Sequence, residues 1–494
     1  MNHLLLSRAS GWVPGLLLAI FAVLLAEPIW DADFWWHIAS GRWIWEQQAL
    51  PGSDPFKVFG DGNPIRLSTV LQGQWLGQLI LYGLFQSGGA DAVVGARVAL
   101  LLLTLWLLWQ RMRQRGSSLL NLLLISAAGF CLLAYTGDRP QLYSILYAAL
   151  LAWSIERAET RADARYYLLL PLIGLTWANS HGGVILGVVI VSGYGLIWWL
   201  PRLPLPCTAP RLRWHYTLAS AAFAATTLCT PNGVDTYRYL LNLQGSELQA
   251  RTSEYVSSLL LFQQGHYGLQ LWALLILFCA LLALPLLVRQ DARKAALTAG
   301  LILLSLESFR YFVFLLVVAL PYLSGALGGY WQQRAAAGFQ RCQQPGWSLL
   351  PLALTLILAL TLYQPGPRSG INPDRYPRQL TTALTAAATL QPARNGGRTF
   401  NWMRWGGYLL WHTPQLTPFI DGRMLNDDRL VPYTHILWAT PQGVQWLEQG
   451  QFDWIILPAR SPGGESYALH QHLARQPRWQ IAARNAEGYL YRRH

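Results

Sequence analysis

Residues 12–37, WVPGLLLAIFAVLLAEPIWDADFWWH, decide the fold class of this chain. The stretch opens with an apolar segment that ends at Trp30 and is long enough to cross a bilayer as a helix. Two carboxylates, Asp31 and Asp33, and the imidazole of His37 follow at once. Ionisable groups are costly beside hydrocarbon, and those at the end of a span commonly have a function. The stretch therefore predicts a membrane helix that emerges into water at a polar site.

Composition favours a membrane protein over a soluble one. Of the 494 residues, 53% are hydrophobic and 12% are charged, and the mean hydropathy is +0.25. A soluble domain carries about twice that charged fraction. The net charge of +13 comes mainly from arginines in short loops between apolar segments, a pattern typical of membrane proteins that argues against a nucleic-acid partner. The five cysteines include no CxxC pair, so neither a disulfide framework nor a zinc site is predicted.

Hydropathy predicts a polytopic α-helical membrane protein with about eleven spans. No small-residue cleavage site precedes Asp31, so we interpret the first span as a retained anchor. The predicted segments are residues 11–30, 92–110, 118–135, 140–155, 166–178, 184–200, 214–230, 267–288, 294–306, 309–329 and 347–363.

Loop charge predicts the orientation of these spans. If the N-terminus is cytoplasmic, most loop arginines lie inside, as in residues 111–115, 157–165, 202–213 and 289–294. This arrangement predicts a multi-pass protein of the cytoplasmic membrane whose C-terminal part is periplasmic or extracellular.

The same orientation places the unusual polar residues outside. Those at the outer ends of the predicted spans are Asp31, Asp33, His37, Arg139, Asn179, His181 and Arg310. Such segregation predicts one polar site at the outer membrane surface. Several of these residues also have a purely structural interpretation, because the acidic pair could cap a helix end, residues 179–183 could form a tight turn, and Arg139 could snorkel to the interface.

These residue types favour chemistry on a phosphorylated substrate. Asp31 and Asp33 could act as a general base, share a proton or hold a divalent cation such as Mg²⁺ or Mn²⁺. His37 follows Asp33 by four residues and would share its helix face. His181, with Asn179 beside it, could contact a phosphate. A guanidinium can hold a phosphate through two parallel bonds, and this suits Arg310 and, as an anion contact or a fixed ion pair, Arg139.

Several enzyme classes lack their motifs in this sequence. There is no phosphate-binding GxxxxGK[ST], no GxGxxG after a strand, no GxSxG elbow and no HExxH. A nucleotide-driven pump, a dinucleotide oxidoreductase and a zinc peptidase are therefore unsupported.

The composition changes after residue 363, which predicts two domains, residues 1–363 in the membrane and 364–494 outside it. Residues 364–377 suit an extended linker and 378–392 a helix. Strands are predicted at 407–411, 417–421, 453–457 and 488–491, and helices at 441–449 and 466–475. Strand and helix alternate, so we expect a small α/β domain. Within it, Asp421-Gly422-Arg423 is either a turn or a contribution to the site.

The long first outer loop, residues 31–91, also has predicted structure. Trp43-Ile44-Trp45 continues a helix from Asp31, and residues 74–86 predict an amphipathic helix at the membrane interface.

These motifs together resemble the GT-C superfamily of membrane glycosyltransferases, which use polyprenyl-phosphate-linked sugars. The match is an ordered series, most closely that of a bacterial subgroup: residues 31–41 (DADFWWHIASG), 54–56 (DPF), 139–141 (RPQ), 177–183 (WANSHGG), 231–233 (PNG), 405–408 (WGGY) and 420–423 (IDGR).

The resemblance implies sugar transfer at the outer face of the membrane. Asp31 or Asp33 would be the catalytic base, with a divalent cation on the pair optional. The residues implied in substrate binding are His37, Arg139, Asn179, His181, Arg310, Asp421 and Arg423. The donor would be a polyprenyl-phosphate sugar in the lipid bilayer, and the acceptor an unknown glycan, lipid or protein.

Two alternatives stay open at this point. A glycan ligase or oligosaccharyltransferase acting on protein or lipid would share this chemistry. A non-catalytic transporter or assembly subunit of a polysaccharide export system would instead place charges at mid-membrane depth and show inverted repeats.

Overall fold

A computed structural model describes residues 2–56, 63–113, 115, 118–200, 210–243, 269–334, 345–390, 395–425 and 427–494. The described chain is a bundle of apolar helices followed by a mixed-sheet domain. The longer helices of the bundle, numbered in chain order, are α1 (Asn2–Leu25), α2 (Phe34–Gln47), α3 (Trp75–Met112), α4 (Ser118–Leu132), α5 (Gln141–Arg161), α6 (Leu169–Ser180), α7 (Val184–Trp198), α8 (Pro210–Thr226), α9 (Asp235–Leu243), α10 (Leu269–Gln290), α11 (Ala292–Glu307), α12 (Leu320–Arg334) and α13 (Leu349–Leu362).

Among the described residues, four helices are long and apolar enough to cross a bilayer: Trp75–Met112, Ser118–Tyr135, Ala273–Gln290 and Phe309–Trp331. Three shorter apolar helices are Trp12–Leu25, Val184–Trp198 and Leu349–Leu362. The chain is thus a membrane protein, whereas the count of eleven spans stays a prediction. Several predicted spans are short because the chain breaks at polar turns, as between α6 and α7 at residues 181–183.

The helix α3 contains two of the predicted segments. Gly88 and Gly89 have non-helical backbone angles, and Gly89 has a φ of 61°, which favours glycine. The break divides α3 into a first part that contains the amphipathic residues 75–86 and a second part that contains the predicted span 92–110. Both segments are helical as predicted.

The C-terminal residues form an α/β domain, as predicted. Its helices are α14 (Arg378–Leu390), α15 (Met403–His412), α16 (Leu430–Leu437), α17 (Pro441–Gln449) and α18 (Ala468–Ala474), and its strands are β1 (Arg398–Asn401), β2 (Thr417–Pro418), β3 (Trp454–Pro458), β4 (Trp479–Arg484) and β5 (Gly488–Arg493). The strand order is β2-β1-β3-β5-β4. β1 pairs in parallel with β2 and β3, and β5 pairs antiparallel to β3 and β4.

Both faces of this sheet are covered because the side chains of β3 alternate between two cores. Ile455 and Leu457 face a cluster that contains residues of α16, α17 and α18. Trp454 and Ile456 face a second cluster, which contains residues of α14 and α15. The result is a three-layer arrangement.

One strand prediction is wrong. Residues 407–411 were expected as a strand, yet they lie inside α15. The apolar run is buried on nearly all sides, so its hydrophobicity carries no strand periodicity. Gly406 and Gly407 allow the close approach: a Cβ on Gly406 would collide with the backbone of Ile420, and one on Gly407 would lie 3.1 Å from the carbonyl oxygen of Ala32.

The helix α2 joins the two parts of the molecule. It packs against α3 on one side and α15 on the other. Just before it, Ile29 pairs in parallel with Ile371, through an N–H donated to Gly370 at 2.9 Å and an N–H received from Asn372 at 2.9 Å. The segment after the last bundle helix therefore returns to the residues that precede Asp31.

Candidate functional site

Asp31 and Asp33 lie in the turn that starts α2. Oδ1 of Asp31 accepts the backbone N–H of Asp33 at 3.0 Å, and the carbonyl of Asp31 accepts the hydroxyl of Tyr376 at 2.9 Å. Asp31 is buried, whereas the side chain of Asp33 is 24% exposed. Asp33 is therefore the carboxylate that a substrate can reach more readily.

Arg139 joins the two carboxylates. Its Nε lies 3.0 Å from Oδ2 of Asp31, and its Nη1 lies 3.0 Å from Oδ2 of Asp33. Arg139 comes from the loop before α5, so the predicted site residues of the first and second outer loops do meet. The alternative of an arginine that merely snorkels to the interface does not fit these contacts.

Two glycines make room for the carboxylates. A Cβ on Gly137 would collide with Oδ2 of Asp31, and one on Gly422 would collide with Oδ1 of Asp33. Gly422 belongs to the C-terminal domain, so this domain forms one wall of the site.

His37 lies one turn further along α2 and is buried. Its ring lies against that of Trp36, with centroids 3.5 Å apart and the planes tilted by 31°. Burial, and then the positive charges of Arg139 and His181, lower the pKa of His37 well below its ordinary value. The imidazole is therefore neutral at physiological pH, and the side chains of His37, Arg139 and His181 lie near one another.

His181 lies between α6 and α7 in a fixed orientation. Its Nδ1 accepts the backbone N–H of Gly183 at 3.0 Å and lies 2.7 Å from the hydroxyl of Ser144, which in turn accepts the indole N–H of Trp177 at 2.7 Å. Because Nδ1 accepts, the neutral ring carries its proton on Nε2. This arrangement orients a donor, as the predicted phosphate contact requires.

Asn179 forms bonds within the scaffold. Its Oδ1 accepts the indole N–H of Trp75 at 2.7 Å, and its Nδ2 donates to the carbonyls of Leu175 and Cys229 at 2.8 and 2.9 Å. It also lines a cleft of about 600 Å³ with Trp75, Cys229 and residues at the C-terminal end of α2. The bond to Trp75 fixes the start of α3. A substrate bound by Asn179 would have to use the same amide group that already makes these three hydrogen bonds.

Asp421 and Arg423 form a buried ion-pair cluster with Asp54. Nη2 of Arg423 lies 2.7 Å from Asp421, and its Nη1 lies 2.6 Å from Asp54 of the first outer loop. Although burial favours the neutral guanidine, these two carboxylates raise the pKa of Arg423. The Asp421-Gly422-Arg423 turn therefore clamps the C-terminal domain onto the first outer loop, with Gly422 held against Asp33.

Arg310 lies in a short 3₁₀ turn, Phe309–Tyr311, and is partly buried. The preceding Phe309 accepts the hydroxyl of Tyr135 at 3.0 Å through its carbonyl and stacks on that ring. Tyr135 is two residues from Gly137, which touches Asp31. This chain of contacts places the Arg310 turn at the same end of the bundle as the carboxylates.

Sequence reasoning missed a buried arginine that supports the site. Nη1 of Arg97, inside α3, lies 2.5 Å from Oδ2 of Asp138 and 2.9 Å from the carbonyl of Thr136. Its Nη2 donates to the carbonyl of Glu27. Arg97 thereby joins the end of α1 to the loop that carries Arg139. A lone arginine within an apolar segment was the available signal.

The divalent cation on the acidic pair stays a prediction. No group of three or more His, Cys, Asp or Glu side chains able to hold a metal occurs in the described part of the chain. The guanidinium of Arg139 contacts both carboxylates, so a divalent cation held by them would meet this positive charge.

No family model matches the chain, and no curated protein matches it. Solved structures do resemble it. The archaeal oligosaccharyltransferase AglB from Archaeoglobus fulgidus, in complex with an inhibitory peptide and a dolichol-phosphate, aligns with a TM-score of 0.58 at 10% identity over 92% of this chain and 69% of that chain. The apo form of the A. fulgidus oligosaccharyltransferase aligns with a TM-score of 0.55 at 10% identity over 90% and 69%, respectively.

A further structure of the A. fulgidus enzyme, a complex with Zn and sulfate, aligns with a TM-score of 0.54 at 11% identity over 90% of this chain and 68% of that chain. Identities this low show the fold alone. The chain has the GT-C fold of these membrane oligosaccharyltransferases, a helical membrane domain followed by a sheet-containing domain, as the resemblance of its motifs predicted.

Proposed function

We propose that this protein is an integral-membrane glycosyltransferase that moves a sugar or glycan from a polyprenyl-phosphate-linked donor to an acceptor. The observation that carries the proposal is the convergence of Asp31, Asp33 and Arg139 beside His37 and His181 at one end of a GT-C bundle. The fold adds support, since one of the similar structures was solved with a dolichol-phosphate.

In this proposal the more exposed carboxylate, Asp33, is the base. It takes the proton of the acceptor while the acceptor atom attacks the anomeric carbon. The bond from that carbon to the phosphate oxygen breaks, and the electron pair leaves with the lipid phosphate. Arg139 fixes the orientation of the carboxylate, while His181 and Arg310 stabilise the negative charge of the leaving group.

The proposed reaction uses no bridging cation, because Arg139 holds both carboxylates. The alternative is that Asp31 and Asp33 bind Mg²⁺ or Mn²⁺. Arg139 would then first have to break its contacts with both carboxylates. Treatment with EDTA decides between them. Full activity after chelation supports the first arrangement, whereas loss of activity that Mg²⁺ or Mn²⁺ restores supports the second.

A second ion-pair cluster supports the proposed orientation in the cytoplasmic membrane. Arg111 lies 14 residues after Arg97 on α3, which is about 21 Å along a helix. There it pairs with the buried Glu156, 2.7 Å away, and Glu156 also pairs with Arg115 at 2.9 Å. The carboxylate site and this arginine-rich cluster thus lie at opposite ends of the bundle, as expected for an outer catalytic face and an inner loop face.

The second candidate function is that of an oligosaccharyltransferase. One similar structure of the A. fulgidus enzyme, which aligns with a TM-score of 0.50, carries a tethered acceptor peptide. A deletion strain separates the candidates through the lipids that accumulate. Monosaccharide carriers indicate single-sugar transfer, and oligosaccharide carriers indicate a ligase. If no lipid-linked glycan accumulates, the enzyme assignment is contradicted and a transporter or assembly subunit takes its place.

A further inference from the structure

The cleft beside Asn179 has a mainly apolar lining. Its volume is about 600 Å³, which is in the range of pockets that hold small ligands. The lining comes from the C-terminal end of α2, the start of α3, the end of α6 and the turn after α8. Its large apolar side chains are Ile44, Trp45, Leu50, Trp75, Leu79 and Leu228. The cleft therefore suits a ligand that is largely hydrocarbon.

The polar side chains of the lining already have partners. Gln48 donates to the carbonyl of Trp45 at 2.7 Å, and the hydroxyl of Thr230 donates to Oδ1 of Asn232 at 2.7 Å. Asn179 forms the three bonds described above. A sugar or a peptide in the cleft would leave many of its own polar groups without partners, which is costly. A hydrocarbon chain carries no such groups.

The cleft is open on the side of Trp45 and Leu228, whose side chains are 62% and 46% exposed. Large apolar side chains grouped at a surface commonly mark a contact with lipid or with a ligand. The wall at Trp75 and Leu79 belongs to the amphipathic residues 74–86, which the sequence predicts at the membrane interface. With this segment at the interface, a lipid chain enters the cleft sideways from the bilayer.

The inner end of the cleft adjoins the candidate site. Nδ2 of Asn179 donates to the carbonyl of Cys229 in the cleft wall, and His181 follows Asn179 by two residues. Gly77 of α3 packs against the same segment, since a Cβ on it would lie 2.6 Å from the carbonyl oxygen of Ser180. The apolar lining therefore begins beside the residue that would contact the donor phosphate.

We propose that this cleft holds the polyprenyl chain of the donor, with the donor phosphate at His181. The inference rests on the proposed function and locates its lipid carrier. In a polyprenyl phosphate the hydrocarbon chain begins at the phosphate ester oxygen, so an apolar groove has to start next to the anion contact, as this cleft does. A phospholipid has polar glycerol esters between its phosphate and its acyl chains, and these would fall within the apolar lining.

Cys229 lines the cleft and is exposed, so its thiol reports occupancy. The protein, with His494→Cys as a reference outside the cleft, is placed in phosphatidylcholine nanodiscs and treated with a maleimide. Mass spectrometry follows the modification of each thiol. Undecaprenyl phosphate in the discs should slow the modification of position 229 and leave that of position 494 unchanged. Phosphatidic acid and inorganic phosphate should protect neither position.

Leu79→Trp narrows the cleft. The concentration of undecaprenyl phosphate that gives half-maximal protection should rise about tenfold, the scale for roughly two methylene groups that lose their place in the cleft. Ile80→Trp is the matched control, because Ile80 is the next residue of α3, is 39% exposed and lies outside the lining of the cleft. This variant should keep the wild-type concentration.

The outcomes separate failure of this inference from failure of the proposed function. The inference is overturned if undecaprenyl phosphate gives no protection, if phosphatidic acid protects equally, or if folded Leu79→Trp behaves like Ile80→Trp. Donor consumption in membranes of the deletion strain tests the proposed function independently, and the function stands in those cases if wild type consumes the donor. If wild type consumes no donor, both are overturned. Thermal unfolding of each variant in detergent shows whether it is folded.

Discussion

Nη1 of Arg139 lies 3.0 Å from Oδ2 of Asp33, and the two residues come from loops that are far apart in the sequence. The two oxygens of the carboxylate have different surroundings, since Oδ2 faces a fixed cation and Oδ1 packs against Gly422. A carboxylate held in this way keeps one orientation, which is what the proposed general base requires.

The first prediction concerns that base. Asp33→Asn retains the shape and removes the charge, so the variant should insert normally and lose roughly 100-fold or more in transfer rate. Asp31→Asn should lose less, because Asp31 is buried behind Arg139. Rates are measured with donor-loaded membranes of the deletion strain. Near-normal turnover in both variants would show that the acidic pair only caps a helix. The enzyme assignment would then lose its main support.

The second prediction concerns Arg139. Arg139→Gln leaves the buried Asp31 without its ion pair, which should cost roughly 2 kcal/mol of stability and most of the activity. Arg139→Lys should restore stability in part but little activity, because an ammonium is a point charge that cannot orient two carboxylates like a planar guanidinium. A Lys variant with wild-type rate would show that only the charge matters.

The third prediction concerns the clamp between the domains. Arg423→Met removes a fully buried guanidinium and leaves Asp421 and Asp54 uncompensated, so we expect a loss of about 3 kcal/mol and a lower thermal midpoint. Arg478→Met is the control in the same domain. Its ion pair with Glu448 is partly exposed and should contribute about 0–1 kcal/mol. Equal midpoints for the two variants would contradict a structural clamp.

The fourth prediction concerns topology. Single cysteines are introduced in place of Arg161 and His494. In intact cells an impermeant thiol reagent should label position 494 and leave position 161 unlabelled. The assay needs a background without the native cysteines, since Cys229 is exposed. The reverse pattern would place the carboxylates on the cytoplasmic side and end the proposal of an outer-face reaction.

The fifth prediction concerns pH. The pKa of His37 is lowered in the folded protein, so the unfolded chain binds more protons as the pH falls below the ordinary value of 6.5. Stability is therefore fully present above that pH and declines towards acid. His37→Gln should show a smaller drop in thermal midpoint between pH 7.5 and 5.5 than wild type does. An unchanged drop would mean that other groups, such as His412, whose pKa is also lowered, dominate.

The residues that converge at the candidate site could be picked out from the sequence because charged groups at span ends are exceptional. That rule marked Asp31, Asp33 and Arg139 separately, and the fold brings them together. The sequence could not show that Arg139 binds both carboxylates, since no spacing rule connects two distant loops. The roles of Gly137 and Gly422 could not be predicted from the sequence either, because they depend on how closely the carboxylates of Asp31 and Asp33 approach these glycines in the fold.

The C-terminal domain shows a different limit. The strands β3 and β5 were predicted because they are apolar and β-branched or aromatic. The strand β4 was missed because several of its residues are exposed, and it has little hydrophobic pattern. Residues 407–411 were misread because burial on all sides removes the periodicity that separates helix from strand.

The pairing of Ile29 with Ile371, and the bond from Tyr376 to Asp31 345 residues earlier, bear on how the protein is made. The loop that carries Asp31 leaves the ribosome early, whereas residues 371–376 follow more than 300 residues later. The bundle can therefore be inserted in the membrane while its carboxylates still lack their final support. A chain that stops before residue 371 lacks both contacts, so its Asp31 turn is left without this support.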